Sequence, residues 1–91
     1  MTDVRRNDAE SRYELEKDGR LAIAAYRMED GAVAFTHTEV PPELEGHGVG
    51  SRLVKGALDD VRARGLRFTP LCSFVAAYAE RHPEVRDLIA E

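Results

Sequence analysis

The spacing of apolar positions along the chain changes once, close to its middle. From Tyr13 to Val40 they fall in short runs of strand-forming residues, broken at Asp18-Gly19 and again at Asp30-Gly31. Asp-Gly supplies the two φ > 0 residues of a tight hairpin, so the pattern predicts a three-strand antiparallel meander over 12–17, 20–29 and 32–40. The middle strand puts Leu21, Ile23 and Ala25 on one face and Ala22, Ala24, Tyr26 and Met28 on the other, and it reads as a central strand covered on both sides. Pro41-Pro42 ends the third strand, because neither proline can donate to a ladder.

Past the prolines the period becomes helical. Leu53, Val54, Ala57, Leu58 and Val61 form an apolar stripe, with Arg52, Lys55, Asp59 and Arg62 outside it. Gly56 interrupts that helix at a cost of about 1 kcal/mol against alanine, which implies close approach to a neighbouring element. Gly65 closes the helix, and 66–71 reads as a strand reached by a right-handed crossover, hence parallel to the third. Ser73 is the predicted N-cap of a second helix with Phe74, Ala77 and Tyr78 on one face, interrupted at His82-Pro83 before a turn through Leu88 and Ile89. Residues 1–11 carry mostly charged and polar side chains and read as a flexible arm, leaving 12–91 as a single α+β domain: a meander, then a β-α-β unit and a C-terminal helix.

Composition narrows the function. The chain has 91 residues, 43% hydrophobic and 33% charged, enough for one modest core. Its net charge of −4 repels phosphate backbones, so nucleic acid is not an expected partner. The acidic excess lies before residue 46, which directs any phosphorylated ligand to the second half. One cysteine, Cys72, cannot close an intramolecular disulfide, and no secretory or membrane-spanning segment stands out, so the expected compartment is the cytoplasm. His37, His47, His82 and Cys72 lack zinc spacing, and no metal is expected.

The segment Glu45-Gly46-His47-Gly48-Val49-Gly50 lies between strand and helix, where the first helical N–H groups have no intrahelical partner. Glycines there let a ligand approach the backbone, and the helix dipole favours an anion such as pyrophosphate. The run lacks the Lys-Ser/Thr ending of a P-loop and the order of a dinucleotide fingerprint. His47, Arg52 and Lys55 stand close enough in sequence to help neutralise phosphate. A tight connection that holds nothing is the competing reading.

The run from Val40 to Leu53, VPPELEGHGVGSRL, resembles the acyl-CoA-binding motif of the GNAT superfamily of N-acetyltransferases, and the segment from Phe35 to His82 is similar to its small, minimal branch. The resemblance implies a sheet that splays between the strand ending at Val40 and the strand ending near Leu71. Pantetheine would enter there, oriented by a Val40 backbone group. The pyrophosphate would lie on Glu45, Gly46, His47, Gly48, Val49, Gly50, Ser51 and Arg52, with Phe74 and Tyr78 along the cofactor. Glu45 stands where the superfamily usually has Gln or Arg, and the N-terminal helix pair that helps form the acceptor site is missing.

Amine acetylation needs a base for the ammonium proton and a group near the departing sulfur. Glu39 and His37, two apart on one strand face, are the candidates for the base. Cys72, just before a helix start, is placed for a lowered thiol pKa and could accept the acetyl group or lie beside the cofactor sulfur. The resemblance makes Tyr78 a general-acid candidate. The expected function is acetyl transfer from acetyl-CoA to an unidentified amine; the alternative is a non-catalytic acyl-CoA-binding or accessory protein. A homodimer or a partner chain could complete the acceptor side.

Overall fold

A computed structural model describes residues 3–90 of the chain. Strands β1 (Val4–Asn7), β2 (Arg12–Lys17), β3 (Arg20–Glu29) and β4 (Ala32–Glu39) precede helix α1 (Val49–Ala63), strand β5 (Arg67–Pro70) and helix α2 (Ser73–Arg81). Short 3-10 turns cover Pro42–Leu44 and Pro83–Leu88. The strands form one sheet in chain order, antiparallel through β4, with β5 parallel to β4. Both Asp-Gly turns take positive φ at each residue, 54° and 75° at Asp18 and Gly19 and 52° and 78° at Asp30 and Gly31. That geometry matches the twist of the flanking strands and fixes the β2-β3 and β3-β4 registers. The result is the α+β architecture the hydropathy pattern predicts.

The stripe Leu53, Val54, Ala57, Leu58 and Val61 is wholly buried, and it packs with Tyr13, Leu15, Ala22, Ala24, Val33, Phe35 and Phe68 of the sheet in one core. Truncating one of those leucines to alanine costs about 2–5 kcal/mol. Gly56 is buried and borders a cavity of about 250 Å³ with Val4, Arg6 and Tyr13. Among the described residues no helix is long and apolar enough to cross a membrane.

Three sequence expectations change. Val4–Asn7, inside the segment read as a flexible arm, is a strand paired to β2; Met1 and Thr2 of that arm, and Glu91 of the domain, lie outside the described residues. Its charges find partners across the fold. Arg5, Asn7 and Arg12 all hydrogen-bond the buried Glu14 carboxylate at 2.7–2.9 Å, and Asp60 of α1 accepts from Arg6 at 2.9 Å and from Tyr13 at 2.7 Å.

β3 is not covered on both sides. The core takes Ala22, Ala24 and Tyr26, whereas Leu21, Ile23 and Ala25 stay half-buried on the other face, beside Glu14, Glu39 and His37. In α2 the buried positions are Val75, Tyr78 and Ala79, and Phe74 is 37% exposed.

Candidate active site

The site forms where β4 loses a neighbour. Pairing with β5 runs from Ala32 opposite Arg67 to Phe35 opposite Pro70 and stops there, while pairing with β3 continues to Glu39. The β3-β4 register shifts between Ala25 and Tyr26, a bulge that leaves Thr36 as the extra residue on β4. Cys72 N–H donates to Phe35 O at 2.9 Å, and the chain then leaves the sheet into α2. The strands therefore part beyond Phe35. A cavity of about 460 Å³ lies in front of the opening, bounded by Thr38 and Val40, by Leu44 to Gly46 and Gly48 to Ser51, and by Phe74 and Arg81 of α2.

The glycine turn presents backbone donors to this cavity. Gly48 is the N-cap of α1 at φ 72°, a conformation that costs a side-chain-bearing residue energy, and no side chain caps the helix. The first intrahelical bond is Arg52 N–H to Gly48 O at 3.1 Å, so the amides of Val49, Gly50 and Ser51 precede the ladder. A partial positive charge accompanies them. Gly50 also admits the Phe74 ring: a Cβ there would lie 2.6 Å from Phe74 Cζ. Thus Phe74 closes one side of the cleft against the helix start.

Charges around the turn are mixed. Glu45 and Arg81 border the cavity; His47 is exposed and outside its lining. Arg52 is exposed and pairs with Asp3, and Lys55 pairs with Asp59 at 3.1 Å one helical turn further on. Neither cation lines the cavity.

β4 separates the chemical candidates by face. His37 and Glu39 sit opposite Ala25 and Ile23 on the open face, with His37 Nε2 2.8 Å from Glu39 Oε2. Thr38, opposite Ala24, faces the helices. Its Oγ1 lies 3.3 Å from Cys72 Sγ, which ties the parted strand to the start of α2. Cys72, rather than Ser73, is the N-cap of that helix. Burial raises the thiol pKa, but hydrogen bonds from Thr38 Oγ1 and from the backbone amides of Val75, Phe74 and Thr38 outweigh it, and the net shift is downward. Cys72 itself lies behind Thr38 rather than in the cavity lining.

A second cavity, of about 520 Å³, adjoins the first. Leu21, Glu39, Pro41 and Pro42 border it, and Thr38, Val40 and Glu45 are shared between the two. Glu39 thus reaches a cavity, and His37 reaches neither.

Tyr78 is placed differently from the expectation. It is 3% exposed, stacks on His82 with ring centroids 3.8 Å apart, and is not part of the cleft lining. Burial raises its phenol pKa, with Glu84 adding to the effect. Three lining residues escape the sequence reading: Thr38, Leu44 and Arg81. Alternation in β4 signals Thr38, since placing His37 and Glu39 on one face sends Thr38 to the other. Phe74 and Arg81 are seven apart, two turns along one helical face, and that spacing signals Arg81. Among the described residues no group of His, Cys, Asp and Glu is arranged to hold a metal ion.

A parted sheet, a bulged strand and an uncapped helix start thus face one cleft in a small α+β domain. The GCN5-related N-acetyl-transferase family matches this chain over residues 12–88, and the chain belongs to that family. A comparison with curated proteins finds no match.

Proposed function

We propose that this protein binds acetyl-CoA across the opening beyond Phe35 and transfers the acetyl group to a primary amine. The observation that carries this reading is continuity. One cavity connects the uncapped amides at the start of α1 with Thr38, and Thr38 contacts the Cys72 sulfur. The donor set suits the ligand: backbone amides from Gly46 to Ser51 for pyrophosphate, the Val40 backbone for pantetheine, and the Phe74 ring as an apolar wall.

Bound acetyl-CoA supplies a thioester, so the net change forms an amide C–N bond, breaks the C–S bond, removes a proton from the amine and delivers one to the CoA sulfur. Glu39, held by His37, takes the amine proton on the open side of β4. Cys72 works from the helix side. Its thiolate, stabilised by the Thr38 hydroxyl and the α2 amides, takes the acetyl group onto sulfur and passes it to the amine. Tyr78 belongs to the core in this scheme, because burial and His82 hold it out of the cleft.

The test is intact-mass analysis of protein mixed with acetyl-CoA and no amine. An acetyl adduct on the wild type that is absent from Cys72→Ala supports the scheme. Calorimetric binding of CoA to both proteins with no adduct on either removes the covalent role and leaves the cofactor site standing.

A further inference from the structure

The second cavity has a composition of its own. Its lining sets the apolar side chains of Leu21, Val40, Pro41 and Pro42 beside the polar Thr38, and its two charged residues are Glu39 and Glu45. Among the described residues lining it, none is basic. Nearby acids are already committed: Glu43 pairs with Arg20 at 3.3 Å, and Glu39 pairs with His37. Among the described residues Glu45 makes no ion pair and no side-chain hydrogen bond, and it borders both cavities. In the cofactor cavity a carboxylate beside an uncapped helix start works against an anion. In the second cavity the same carboxylate favours a cation. Its position at the junction is therefore explained by the acceptor rather than by the cofactor.

We infer that the second cavity is the acceptor site and that it selects aliphatic amines carrying a second positive charge. This rests on the acetyl transfer proposed above. The reacting ammonium gives its proton to Glu39, and the distal ammonium stays paired with Glu45. The apolar walls take the methylene chain between them. Glu45 is the specificity-determining residue. A carboxylate on the distal end of the amine meets Glu45 as a like charge and is rejected.

Three four-carbon primary amines test the assignment: 1,4-diaminobutane, butylamine and 4-aminobutyrate. Their kcat/KM values with acetyl-CoA are compared in the wild type and in Glu45→Gln, alongside calorimetric binding of CoA and of 1,4-diaminobutane. The wild type favours the diamine over butylamine by about fivefold, the scale of one partly solvated ion pair, and 4-aminobutyrate is the poorest substrate. Glu45→Gln removes the diamine advantage while CoA binding tightens, so one substitution acts in opposite directions at the two cavities. Equal kcat/KM for the three amines, a diamine advantage that survives Glu45→Gln, or no calorimetric binding of the diamine to CoA-loaded protein overturns the inference. Failure of CoA itself to bind is a separate result, and it removes the proposed function instead.

Discussion

β4 is two strands in one. From Ala32 to Phe35 it is paired on both edges, and all four residues are buried; from Thr36 to Glu39 it is paired on one edge, and its residues are half-buried or exposed. The first half is held by the core, with Val33 and Phe35 against α1 and the Phe68 ring. The second half is held by β3 and by the Thr38–Cys72 contact. Backbone groups released from a ladder must find other partners, and at Thr36–Glu39 they face a cleft. Stability is concentrated in one half of a strand, and the chemical candidates are concentrated in the other.

The largest test of that division is Phe68→Ala, beside the closed half. It should cost about 3–5 kcal/mol, read as a loss in denaturant midpoint, because the ring is fully buried. Glu39→Gln addresses the open half. Turnover should fall by about a hundredfold, the scale of a lost general base, with the thermal midpoint unchanged because the side chain is exposed. A Glu39→Gln variant that loses stability as well would merge the two halves and break the comparison.

The hairpin turns and the first helix were legible in sequence. The two Asp-Gly pairs mark the ends of β2 and β3 and the start of β4, and the stripe from Leu53 to Val61 is the buried face of α1. β1 was not legible, because Val4 is its one apolar residue and its register depends on partners far along the chain, Glu14 and Asp60. The apolar character of Leu21, Ile23 and Ala25 suggested a second covering layer, yet both helices pack on the opposite face. The glycine turn before α1, the shared face of His37 and Glu39 on β4 and the place of Cys72 just before α2 could be read from spacing. The burial of Tyr78 could not, since it depends on His82 stacking over the ring.

Glu14 gives a smaller effect, from the side of the sheet away from the cleft. Hydrogen bonds from Arg12 and Asn7, then Arg5, outweigh burial and hold its carboxyl down to about 2. Because the folded value lies below the ordinary one, this stabilisation is complete above the usual carboxylate range and is lost as pH falls toward 2. Urea unfolding at pH 7 and pH 3 should show a loss in the wild type that is reduced in Glu14→Gln. Subtler still is Thr38→Val. The hydrogen bond from Thr38 Oγ1 helps hold the Cys72 thiol pKa down, so removal of the hydroxyl should move the pH midpoint for alkylation of Cys72 up. A midpoint that does not move would detach Thr38 from the thiol.

The central claim is that the parted end of β4 and the uncapped start of α1 form one CoA site. Thermal unfolding with CoA, acetyl-CoA and ATP as separate ligands tests it most directly. CoA and acetyl-CoA should both raise the midpoint, by an amount equivalent to about 2.7 kcal/mol at a hundredfold excess over Kd, and ATP should not. No shift at millimolar CoA would contradict the account.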